Sequence, residues 1–163
     1  MQGPPPLEAV DAGGKLVGPV VFTEDFLNAL GLGDEFQLTF VLVKTSPVGE
    51  PVLLGLNLGG DPTGIVSYES GDCTGTPLVG GGGSIPVVQT VADTVFFPMT
   101  PTTAGMINSI ERTNRSYGCT SITPHGGCCR TQISGIGNPY AAGTVPFANL
   151  GIVRPLHAVS TIP

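Results

Sequence analysis

The chain contains no tryptophan, six lysines and arginines together, and charged residues at only 11% of its 163 positions. Soluble domains ordinarily carry about a quarter charged residues, so this poverty of charge narrows the function classes open to it. Nucleic-acid binding rests on clustered Lys and Arg that neutralise phosphates, and a chain of net charge −6 with no such cluster argues against it. The same shortage argues against docking on anionic lipid. No stretch approaches the roughly 18 uninterrupted apolar residues of a membrane-spanning helix, so membrane insertion is not expected. Met1-Gln2-Gly3-Pro4-Pro5-Pro6 lacks both the basic and the apolar regions of a signal peptide. If the protein is exported, the chain is expected to be a mature fragment behind an added methionine.

Against these absences stand a 40% apolar content, 25 glycines and 16 prolines. Disorder comes with low hydrophobicity and high charge, and here both are reversed. The glycines and prolines therefore read as turn punctuation in a folded, strand-rich protein. A mass of 16.6 kDa suits one domain with one buried core. Residues 1–9 read as a Pro-rich leader or the remnant of a collagen-like stalk, and 10–163 as a single β domain.

Strand signals dominate the rest. Val10-Asp11-Ala12-Gly13-Gly14-Lys15-Leu16-Val17-Gly18 predicts strand, tight Gly-Gly turn, strand. In Phe36–Val43 the residues Phe36, Leu38, Phe40 and Leu42 share one face by two-residue alternation. Val52–Leu58, with Gly55 permitting a bulge or close approach, Gly64–Glu69, Ile85–Thr90, Thr94–Phe97, Leu150–Val153 and Leu156–Val159 continue the pattern. One short helix is expected over Thr23–Gly31, capped by Thr23, ended by Gly31, and burying Phe26, Leu27 and Leu30. The expected fold is all-β, an antiparallel β-sandwich or jelly-roll with that one helix. Gly80–Gly83 lacks the Lys-Ser/Thr of a phosphate loop and reads as a flexible hairpin loop.

Cys73, Cys119, Cys128 and Cys129 are even in number, and three pairings are open to them. Three of these thiols and His125 fall within a dozen residues, so zinc is conceivable, but adjacent cysteines rarely both reach one tetrahedral metal. Disulfides joining Cys73 and Cys119 to the Cys128-Cys129 pair explain the same residues with less demand and place the chain in an oxidising compartment. No metal or cofactor is assigned.

Nucleophilic catalysis would have to use His125, His157 or Cys119, and no Gly-x-Ser-x-Gly elbow is present. His157 sits in an apolar strand-like segment, where a structural or interface role is commoner. No catalytic residue is therefore assigned. Asp61, Glu69, Asp72 and Asp93 could pair as carboxylates, and calcium at Asp61 or Asp72 stays open. Both of those lie in Gly-bearing turns, where aspartate's bonds to its own backbone are reason enough. Asn114-Arg115-Ser116 matches a glycosylation acceptor. Tyr68, Tyr117 and Tyr140 are the aromatic candidates for ligand binding, with a core-rim role as the alternative for each.

From Val10 onward the order of features resembles the C-terminal β domains that follow collagen-like repeats in certain bacterial surface proteins. The matching pieces are Val10–Gly18, similar to a "D-A-x-G-x-x-V-G" start, and the more specific Tyr68-Glu69-Ser70-Gly71-Asp72-Cys73-Thr74-Gly75-Thr76-Pro77, similar to "Y/F-x-S-x-D-C-x-G-x-P". Val95-Phe96-Phe97-Pro98 and Gly118-Cys119 follow in order, and Gly3-Pro4-Pro5 sits where a stalk would join. The Gly80–Gly83 loop and the Cys128-Cys129 pair depart from that pattern, so it implies no disulfide pairing. The resemblance implies extracellular or cell-surface display, no catalytic residues, and a homotrimer, because a collagen stalk is triple.

The expectation is therefore a non-enzymatic structural protein, a domain for trimerisation and adhesion that presents loops to an unidentified surface ligand or receptor. Phe36–Val43 with Ile152–Val159 is the expected interface between copies. A phage tail-fibre tip or capsid decoration protein of the virion shares these features. A cysteine- or metal-dependent hydrolase is the alternative of a different class, and it requires a free thiol or a bound metal.

Overall fold

The computed structural model describes residues 7–21, 39–43, 49–56, 60–80, 85–102, 106–113, 119–136 and 140–160. Among them, strands alternate with turns: β1 (Leu7–Val10), β2 (Leu16–Val21), β3 (Thr39–Val43), β4 (Val52–Leu56), β5 (Ile65–Tyr68), β6 (Leu78–Val79) and β7 (Val87–Val91) come first. They are followed by β8 (Thr94–Pro101), β9 (Met106–Arg112), β10 (Ser121–Ile122), β11 (Cys128–Ile136), β12 (Tyr140–Pro146) and β13 (His157–Ser160). The all-β expectation is met. The helix expected over Thr23–Gly31 lies outside the described residues, as do Gly81–Gly83 and Phe36–Leu38.

The thirteen strands hydrogen-bond in the order β10-β11-β9-β5-β6-β12-β8-β7-β4-β3-β2-β1-β13. Every pairing is antiparallel except β4 with β7, where Leu53 and Leu54 run parallel to Val87 and Val88. That one pair departs from a purely antiparallel sheet. It is also where two halves of the fold join.

β7 is buried along its whole length. Its alternate residues serve different cores, as strand geometry requires when both faces are covered. Val88 joins the first core, with Ala9, Val41, Leu54, Leu56 and Leu156. Val91 joins the second, with Val66, Tyr68, Val79, Phe96 and the Cys73–Cys129 disulfide. On β8 the neighbours Val95 and Phe96 divide between the two cores in the same way. The β7–β8 hairpin is thus a shared wall, turned through Ala92 and Asp93 with Ala92 in the left-handed region at φ 51°.

The opening hairpin folds as its residues predict, with Asp11 at its turn. β1 starts at Leu7 and buries Ala9, so the first strand begins within the stretch assigned to the leader. Leu150–Val153 is not the expected strand. Phe147–Leu150 forms a 3-10 helix ended by Gly151 in the left-handed conformation, and Phe147, Leu150 and Ile152 plug the first core. The expected interface over Phe36–Val43 is corrected in the same region. Phe40, Val41 and Val43 are buried within this chain, β3 lying between β2 and β4, so they offer no face to a second copy. Ile152 and Leu156 are buried too, while Val153 and Val159 are exposed.

Candidate functional site

All four cysteines form disulfides, Cys73–Cys129 and Cys119–Cys128, with Cα–Cα separations of 5.9 and 5.2 Å. Adjacent strand residues point to opposite faces, so Cys128 and Cys129 diverge and bond different partners. Oxidation removes the thiolates that a zinc site or a Cys119 nucleophile would need. Among the described residues no group of three or more His, Cys, Asp or Glu is placed to hold a metal ion. The first disulfide ties the loop after β5 to β11. The second closes the β10–β11 hairpin.

The loop Glu69–Thr76, which carries the most specific motif of the chain, is built rather than loose. Ser70 Oγ donates to the Thr74 carbonyl at 2.8 Å and accepts from the Thr74 amide at 3.0 Å. Thr74 Oγ1 donates to Asp72 Oδ1, and these hydroxyls hold the Asp72 carboxyl below the usual aspartate range. Asn108 Nδ2 and Ser109 Oγ on β9 donate to the carbonyls of Glu69 and Ser70, and Thr131 Oγ1 on β11 donates to that of Gly71. The Cys73 amide donates to Ser109 Oγ at 2.9 Å. Two strands and a disulfide thus fix this loop from beneath. Its outer side borders a cleft of about 380 Å³ lined by Glu69, Ser70, Thr74, Gly75, Thr76 and Leu78.

Below it lies a carboxylate in the interior. Glu111, on β9, is fully buried. Its Oε1 accepts from Tyr68 Oη at 2.7 Å, and its Oε2 accepts from Thr123 Oγ1 and pairs with His125 Nδ1 at 3.1 Å. Three side chains from two other segments therefore converge on one group, meeting the rule that a buried polar group must be hydrogen-bonded. Burial, then the hydrogen bond to Glu111 and its charge, push the Tyr68 phenol well above its ordinary range. The Thr123–Gly127 turn is closed by Thr123 N–H to the Gly127 carbonyl at 2.9 Å and by Gly127 N–H to Thr123 Oγ1 at 2.9 Å. Gly127 packs tightly against Glu111. A Cβ on it would lie 2.8 Å from Glu111 Oε2 and 2.5 Å from Val91 Cγ1. His125 stands edge-on to Phe96, ring centroids 5.1 Å apart, with 33% of its side chain exposed.

The tyrosines do not assemble into a surface platform. Tyr68 is buried with its hydroxyl committed to Glu111, Tyr140 is half-buried against the second core, and Tyr117 lies outside the described residues, with Asn114–Ser116. His157 is exposed on β13, far along the sheet order from His125. Asp93 pairs with Arg154 at 2.5 Å on the surface. Glu111, Thr123 and Ser109 escaped the sequence reading, because a buried carboxylate or hydroxyl is written with the same letter as a solvated one. The available signal was Gly126-Gly127 immediately after His125, a turn that lets backbone approach another chain segment closely. No family model matches the chain, and neither does any curated protein or solved structure.

Proposed function

We propose that the chain is a non-enzymatic extracellular domain that trimerises at the end of a collagen-like stalk and presents the Glu69–Thr76 loop for binding. The observation that carries this reading is the bracing of that loop by the Cys73–Cys129 disulfide and by side chains from β9 and β11. A surface loop held on rigid strands is the usual arrangement for recognition. Disulfides suit an oxidising compartment. Leu7, which follows Gly3-Pro4-Pro5-Pro6 in the sequence, pairs with Ser160 of β13, so a stalk leading into Leu7 would join the domain at the sheet edge that β13 forms. Exposed Leu16, Val153 and Val159 lie on or beside that β1–β2–β13 border. Three of the seven exposed large apolar side chains among the described residues lie at this border, which supports contact with further copies there.

The reading is tested by fusing Gly-Pro-Pro triplets ahead of Gln2 and following triple-helix refolding by circular dichroism, with and without the domain. A domain that gathers three stalks raises their effective concentration, so refolding becomes faster and independent of dilution. Refolding that is equally slow and dilution-dependent with the domain attached would contradict the assembly role.

A further inference from the structure

We propose that Thr123 and Glu111 condense to an intramolecular ester, a covalent cross-link between the β10–β11 turn and β9. The donors around Glu111 are divided unequally. Among the described residues, Oε2 receives both Thr123 Oγ1 and His125 Nδ1, whereas Oε1 receives only Tyr68 Oη. That division matches the two fates the oxygens need in an acyl transfer: one leaves and the other remains as the carbonyl.

Thr123 Oγ1 already accepts the Gly127 amide, so its own proton is directed to Glu111. Attack of Oγ1 on Glu111 Cδ moves the carbonyl electron pair onto Oε1, where the Tyr68 hydroxyl stabilises the developing oxyanion. Oε2 takes the hydroxyl proton of Thr123 and a second proton from protonated His125. The Cδ–Oε2 bond breaks and Oε2 departs as water past the partly exposed His125. Carboxylate, hydroxyl and imidazolium enter; ester, neutral imidazole and one water leave. No oxidant, reductant or external co-reactant is needed.

Two effects drive the condensation. Groups fixed in contact reach effective molarities of about 10⁵–10⁸ M, which favours the intramolecular ester over hydrolysis by bulk water. Esterification also removes an ionised group from a site with no bulk solvation. Gly127 supports the geometry from the other side, since a Cβ there would crowd Val91 and Glu111. The bond would staple the two-residue β10, the short edge of the sheet, in parallel with Cys119–Cys128. This chemistry is independent of the chain's oligomeric state.

The test is the intact mass of the purified chain, reduced and denatured. The expected mass is one water below that of the sequence. Trypsin cuts after Arg112 and Arg115, which places Glu111 and Thr123 on separate peptides, and these should remain joined until hydroxylamine cleaves them. Thr123→Ser should keep the loss of water and Thr123→Val should abolish it. Glu111→Gln should lose one ammonia instead, because the amide then supplies the leaving group. A wild-type chain that retains its full mass after prolonged storage near neutral pH overturns the proposal. So does a water loss that survives Thr123→Val or maps to other peptides.

Discussion

The Asp11 carboxylate accepts the amide of Val153 at 3.0 Å, joining the first hairpin to a residue 142 positions later in the chain. The same carboxylate accepts the amides of Gly13 and Lys15, and the Ala12 amide returns a bond to the Val153 carbonyl. A turn motif at the start of the domain thereby fastens its C-terminal segment, the stretch that plugs the first core with Ile152.

These backbone donors, Val153 first, hold the Asp11 carboxyl below its ordinary value. A depressed carboxyl contributes stability above the unfolded pKa of about 3.9 and loses it as pH falls through the folded value. Asp11→Asn is therefore expected to melt below the wild type at neutral pH, with the gap closing in acid. Thermal melts over a pH series check this, and a gap constant with pH contradicts it.

The Tyr68 phenol is shifted the opposite way. Its proton is held more tightly in the folded state, so its contribution is intact below pH about 10 and is lost as pH rises further. Tyr68 should resist ionisation in an ultraviolet titration until the chain unfolds. Tyr68→Phe should remove that late step and cost about 1–3 kcal/mol at neutral pH by leaving Glu111 Oε1 without its donor.

The two disulfides should differ in worth because they close loops of different length, with sequence separations of 56 and 9. Loop-closure entropy gives about 4 kcal/mol for Cys73–Cys129 and about 3 kcal/mol for Cys119–Cys128. Paired Cys→Ala variants in urea titrations measure both. Equal or inverted losses would show that local packing at Cys119–Cys128 outweighs chain entropy.

Gly127→Ala places a methyl against Val91 and Glu111, and overpacking of that kind costs about 1–3 kcal/mol. Gly75→Ala tests the contrast. Gly75 has open space around it but φ +90°, so its loss comes from backbone strain alone.

Those residues also show why the sequence is only partly legible. β3 and β4 are visible because Phe40, Val41, Leu54 and their neighbours are apolar and strands need such faces. β9 is not. Met106-Ile107-Asn108-Ser109-Ile110-Glu111-Arg112 reads as a polar surface segment, yet Ser109, Glu111 and Arg112 are buried, and the partners of Ser109 and Glu111 come from distant parts of the chain. β12, Tyr140–Pro146, is hidden for another reason: Ala, Gly and Thr carry little hydropathy, and β8 and β6 define it by pairing. The cysteine cluster announces disulfides, but their connectivity depends on β9 pairing with β5 on one side and β11 on the other. Local spacing does not encode that register. The same limit explains Leu150–Val153, where an apolar run fills a core as a 3-10 turn and plug instead of a strand.

Assembly of three chains is read from the solution mass of the purified protein, by light scattering behind size exclusion over a dilution series. The expected mass is near three times 16.6 kDa, unchanged on dilution. A clean monomer at every concentration would contradict it.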